Sequence, residues 1–74
     1  MPRIISKRRF EYVAGSSDKF WEIEVKGKEV IVRFGRNGTR GQTSTKSFGD
    51  EAAAQKQADK LIAEKLAKRY VEVG

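Results

Sequence analysis

Apolar and polar residues alternate along the N-terminal part of the chain, and the period then changes once. Between Arg9 and Val13, Phe10 and Tyr12 fall on one face and Arg9, Glu11 and Val13 on the other, the two-residue repeat of a strand. The run AGSSD, Ala14–Asp18, has the composition of a turn. Trp21, Ile23 and Val25 then point one way and Glu22 and Glu24 the other. That is a half-buried strand, with Trp21 in the core and the two glutamates on a solvated face. Lys26-Gly27-Lys28 predicts a tight hairpin connection, since glycine supplies the positive φ such turns need. Val30, Val32 and Phe34 alternate with Ile31 and Arg33 in the next strand, and QTSTKSF, Gln42–Phe48, reads as a further one.

At Asp50 the period lengthens to that of a helix. Asp50 is a good N-cap, Glu51 sits in the first turn, and Lys65, Lys68 and Arg69 crowd the last, each complementing the helix dipole. Ala54, Ala58, Leu61, Ile62 and Leu66 form one apolar stripe. The stripe is alanine-rich and lacks Trp and Phe, and a four-stranded sheet needs a cover, so it is assigned to core packing. Tyr70–Val73 either returns to the sheet edge or packs beneath the helix. The fold class is α+β: an antiparallel β-sheet of about four strands with one C-terminal helix packed on one face. Residues 1–8 are expected to form a basic N-terminal arm and residues 9–74 a single domain.

Composition narrows the function. Seventy-four residues allow one modest core and a thin stability margin. Cysteine and histidine are both absent, which removes cysteine–histidine zinc sites, Ser-His-Asp triads and Cys-His dyads. The ten acids are scattered, so neither a metal site nor a cofactor is expected. Glu22 and Glu24 have no second wall that would make them a catalytic carboxylate pair, and no enzyme activity is expected. The net charge of +6 points to an acidic partner, nucleic acid before anionic membranes or acidic proteins. No apolar segment approaches the ~20 residues that cross a bilayer, so no membrane partner is expected. The N-terminus, MPRIISKRRFEYV, lacks the apolar run of a signal peptide. A cytoplasmic protein, nucleoid-associated in a bacterium, and a monomer are the expectations.

The charge is concentrated in RFGRNGTRGQ, Arg33–Gln42, which holds three arginines, three glycines, one aromatic residue and no acid. Glycine at 35, 38 and 41 lets the backbone approach a ligand and offers its N–H groups to phosphate oxygens. Asn37-Gly38 also has a turn's composition, which accounts for Gly38 but not for all three. A β-branched residue at Gly41 is therefore expected to harm binding more than folding, whereas at Gly27 it acts on stability alone. Arginine forks onto phosphate and stacks on a base or sugar face, and an exposed Phe34 would add a stacking platform. Phe34 also continues the Val30–Val32 face, so a core position stays open. The two GxxG spacings, GRNG and GTRG, do not make a KH clamp, because that loop joins helices. Nor do they make a Walker loop, because Gly41 is followed by Gln42 and a strand. The cluster Lys7-Arg8-Arg9, with Arg3, is either a phosphate-gripping arm or a solubilising tail.

Phe34-Gly35-Arg36-Asn37-Gly38-Thr39-Arg40-Gly41-Gln42 resembles the motif of the WGR domain, Trp-Gly-Arg followed by x-Gly-x-x-Gly-Gln. The family occurs in DNA-dependent poly(ADP-ribose) polymerases and small bacterial proteins. Ser17-Asp18-Lys19-Phe20-Trp21 is similar to the family's Asn-Lys-aromatic-aromatic strand opening, and Lys65–Tyr70 to its helix end. The resemblance runs from about Phe10 to Val73. Two positions depart from it: Phe34 replaces the tryptophan that names the family, and Asp18 stands where the polymerases tend to have asparagine. In the polymerases the tryptophan packs on the terminal nucleotide of a DNA end, and the arginine joins the contacts. The resemblance implies a non-enzymatic nucleic-acid-binding module favouring DNA ends or nicks, with RNA still open as a ligand. Its candidate site is Lys19, Arg33, Phe34, Gly35, Arg36, Arg40, Gly41 and Gln42. The alternative is a protein-interaction module in which Arg33 and Arg36 dock an acidic partner surface.

Overall fold

Five strands and one helix account for residues 7–73, which the computed structural model describes. The strands are β1 (Lys7–Ala14), β2 (Ser17–Lys26), β3 (Glu29–Arg36), β4 (Gln42–Ser47) and β5 (Val71–Val73), and the helix is α1 (Glu51–Ala67). They form one antiparallel sheet in the order β4-β3-β2-β1-β5. The tail after the helix thus goes to the sheet edge, where Val71 pairs with Glu11 and Val73 with Arg9. Most of the basic arm lies outside the described residues, while Lys7 and Arg8 are the first residues of β1. The β1–β2 turn is tighter than AGSSD suggests. Ala14 already pairs with Ser17, because Gly15 at φ +59° lets two residues reverse the chain, which leaves Ser17 and Asp18 to β2.

Helix α1 begins at Asp50, whose carboxylate accepts a hydrogen bond from the Ala53 N–H at 2.7 Å. It ends in a Schellman arrangement. Arg69 takes the left-handed conformation at φ 72°, its N–H reaches the Leu66 carbonyl, and the Tyr70 N–H reaches that of Lys65, both at 3.0 Å. The helix packs across β2 and β3. Its Ala54, Ala58 and Ile62 close over Phe10, Trp21, Ile23 and Val30 in one buried cluster. Alanine at two of these positions lets the helix approach the Phe10 and Trp21 rings, whose centroids lie 5.7 Å apart. Leu66, which the stripe assigns to the core, is 51% exposed. It lies in the last turn, just before the chain swings away to β5.

Among the described residues the opposite face carries no helix, but it is not simply solvated. Phe20 is buried there, with the Arg9 guanidinium 4.6 Å and the Arg33 guanidinium 5.0 Å from its ring centroid. Glu22 joins them and is only 6% exposed, which overturns its reading as a solvated residue. Alternation places Glu22 on the polar face correctly. Two arginines from the flanking strands, opposite it in register, then cover it.

Candidate nucleic-acid interface

The glycine-rich loop connects β3 to β4 and folds back on itself. Asn37-Gly38 forms its tip, with Gly38 at φ +89°. The Arg36 carbonyl accepts from the Thr39 N–H at 3.1 Å and the Thr39 hydroxyl at 2.7 Å. At the base of the loop two glycines touch. A Cβ on Gly35 would lie 2.7 Å from the Gly41 Cα, and one on Gly41 would lie 2.8 Å from the Phe20 Cζ and closer still to the Phe34 carbonyl oxygen. Gly41 also has φ +72°. Close packing of the chain on itself therefore requires both glycines, and the expected cost of a side chain at Gly41 moves from binding to folding.

A charged network on the open face holds this loop. Glu22 accepts from Arg9 Nη1 at 2.6 Å and from Arg33 Nε and Nη2 at 3.1 and 3.0 Å. The two arginines then reach onward, Arg33 Nη1 to the Arg40 carbonyl and Arg9 Nη2 to Asn37 Oδ1, each at 2.9 Å. Asn37 donates its side-chain amide to Asp18 at 2.6 Å, and its backbone N–H to the Asp18 carbonyl at 2.9 Å. Asp18 thus serves as a loop anchor. Burial works to raise the Glu22 carboxyl, but the hydrogen bonds and charges of Arg9 and Arg33 outweigh it, and its pKa sits below the usual carboxylate range.

The sequence-derived candidates divide between the two faces. Phe34 pairs with Trp21 and Arg36 with Lys19 across β2 and β3, so all four lie on the helix side. Gln42 stands opposite Phe34 in β4. Arg33 lies on the other face, held by Glu22. Arg40 is exposed in the loop with its carbonyl accepting from Arg33. Phe34 is neither free nor core: its side chain borders the helix-side groove and the residue is 40% exposed. Among the described residues, Lys19, Arg36, Arg40 and Lys46 form no ion pair with a carboxylate.

The groove runs between α1 and the β3–β4 half of the sheet and encloses about 640 Å³. Sequence reasoning did not find it, nor the roles of Lys46, Lys65 and Tyr70 in lining it. The alternation of Gln42, Ser44 and Lys46 puts them on one face, but only the β3–β4 register sets that face beside Phe34. Lys65 reads in sequence as a helix-dipole residue. In the fold its ammonium stands 5.4 Å from the Trp21 ring and 5.3 Å from that of Tyr70. Burial, and then the nearby Lys68, lower its pKa.

This architecture is shared with a Bacteroides fragilis protein of known crystal structure, which superposes with a TM-score of 0.92 at 49% identity over 93% of this chain and 20% of that one. Two Escherichia coli K12 proteins contain similar stretches. YehF is 49% identical over 65 residues, 88% of this chain and 24% of its own length. YfeS is 42% identical over 66 residues, 89% of this chain and 27% of its own. The chain thus spans about a quarter of the length of these relatives. The profile of the WGR domain matches residues 6–74, with the glycine loop, its Asp18 anchor and the helix end all inside the match, and the chain belongs to the WGR domain family.

Proposed function

We propose that this WGR domain binds DNA and favours ends or nicks, with Arg36 and Arg40 on phosphates, Lys19 beside them and Phe34 against the terminal nucleotide. The family is one of non-catalytic modules associated in general with nucleic-acid binding. The observation that carries the finer reading is the meeting, at one end of the sheet, of the half-exposed Phe34 ring with Lys19, Arg36 and Arg40, which among the described residues no carboxylate neutralises. Such cations keep their full attraction for phosphate. Arg33 contributes little to that attraction, because Glu22 already holds it.

The test is a titration against blunt duplex, nicked duplex and closed circular DNA of matched length, repeated over a range of salt. Lys19, Arg36, Arg40 and Lys46, at ~0.9 counterions each, give a log–log salt slope of about −3.6. Ends and nicks are expected to bind more tightly than the circle. A slope shallower than about −1, or equal affinity for all three DNAs, would refute end recognition. The shallow slope would favour docking on an acidic protein surface through Arg36 instead.

A further inference from the structure

The helix-side groove extends well beyond the residues that a blunt DNA end would meet at the loop. Phe34 and Arg36 stand at its loop end. Its lining also includes Trp21, Val32, Phe48, Leu61 and Tyr70, with Tyr70 beside Tyr12 at a ring-centroid distance of 5.5 Å. Aromatic and aliphatic side chains thus lie among polar ones in it, and its volume of about 640 Å³ falls in the ~300–1,000 Å³ range of small-ligand sites.

The rims are basic on both sides. Lys46 projects from β4 and Lys65 from α1, while Lys19 and Arg36 close the loop end. Two acids also line the groove, Asp18 and Glu64, and the Asp18 carboxylate already accepts from Asn37. Four cations against two acids leave the groove electropositive. An aromatic floor between basic rims is how proteins hold single-stranded nucleic acid: bases lie on the rings and phosphates meet the cations. A paired terminal base cannot use such a floor, because its partner strand holds it in the stack.

We propose that this groove takes the unpaired nucleotides of a frayed or overhanging end, with a base on the Phe34 ring and the backbone phosphates between Lys46 and Lys65. The proposal rests on the DNA-end reading and adds to it a preference among ends. It commits the groove to nucleic acid rather than to an acidic peptide, because Phe34 and Arg36 belong to both the groove and the loop, so a strand held at the loop leads directly into it.

The test uses the 74-residue chain and three probes of matched duplex length: a blunt duplex, and duplexes with a two-thymidine overhang of either polarity. Two readouts are taken, anisotropy for affinity and the emission of Trp21, the chain's single tryptophan, which borders the groove. At least one overhang is expected to bind about tenfold tighter than the blunt duplex, the effect of one base–aromatic contact, and to shift Trp21 emission where the blunt duplex does not. Lys46→Glu reverses one rim charge at an exposed edge position and should leave the fold intact. It is expected to reduce the overhang preference to within twofold. Overhangs of both polarities binding within twofold of the blunt duplex would overturn the proposal while end recognition stands. Absence of binding to every probe at low salt would overturn both readings. An acidic, phenylalanine-containing peptide that shifts Trp21 emission while the overhangs do not would assign the groove to a protein and overturn it as well.

Discussion

Removing the Phe34 ring separates its contribution to the fold from its contribution to binding. Truncating a fully buried phenylalanine to alanine costs ~3–5 kcal/mol. Phe34 is 40% exposed and loses only the packed part of that contact, so Phe34→Ala should cost ~2–3 kcal/mol of stability. A domain of this size has roughly 4–11 kcal/mol in total, so the variant stays folded at low temperature. At ~4–8 °C per kcal/mol, its melting temperature should fall by roughly 8–24 °C. Binding is measured below that transition by anisotropy on a blunt duplex and on closed circular DNA. Loss of the aromatic contact, worth ~1–3 kcal/mol, should weaken end binding about 5- to 150-fold. Affinity for the circle, which rests on the basic side chains, should change by less than twofold. Phe34→Trp, the residue typical of the family, should bind ends at least as tightly as the parent. If Phe34→Ala melts as expected but keeps its preference for ends over circles, the ring is a packing residue and the interface consists of its cations alone.

Gly41→Ala and Gly27→Ala share a left-handed backbone, at φ +72° and +58°, but only Gly41 has the loop and Phe20 against it. Gly41→Ala should therefore be the more destabilising by ~2 kcal/mol or more in urea unfolding, and equal costs would show that the loop relaxes freely. Glu22→Gln removes the negative charge and one of the two acceptor oxygens that hold two guanidiniums. Breaking a buried pair costs ~3–5 kcal/mol, but Arg9 and Arg33 are each about a third exposed, at 33% and 35%, and can rehydrate, which reduces the expected loss to ~2 kcal/mol at pH 7. Because the folded Glu22 carboxyl lies below its unfolded value of ~4.3, its contribution is complete above that pH and lost as pH falls through the folded value. The parent should thus lose more stability between pH 7 and pH 3 than Glu22→Gln does, and equal losses would remove Glu22 from the account. Arg69→Gly relieves a left-handed arginine at φ 72° and should raise stability by up to ~1 kcal/mol, so a fall in the melting temperature would contradict the Schellman assignment.

What the sequence determined by itself was local and periodic. Trp21, Ile23 and Val30 announce a buried face because strand side chains alternate strictly, and Asp50 announces the helix start because its carboxylate satisfies an N–H three residues away. The WGR motif was readable for the same reason, since its glycines, arginine and aromatic residue are consecutive in the chain. Tertiary structure decided whatever depends on residues far apart. Glu22 is a polar residue on a polar face until Arg9 and Arg33, 13 and 11 residues away, cover it from the neighbouring strands. Arg33 counts as a free cation of the loop until that carboxylate holds it. Gly41 reads as a flexible ligand-facing position until the loop closes and sets it against Phe20. The groove exists only because α1 lies over β2 and β3 and leaves the β4 side open, so that Lys46 and Lys65, 19 residues apart in the chain, line it from different elements. Periodicity specifies which face a side chain takes, whereas register and helix placement specify its neighbours, and charge and access follow from the neighbours.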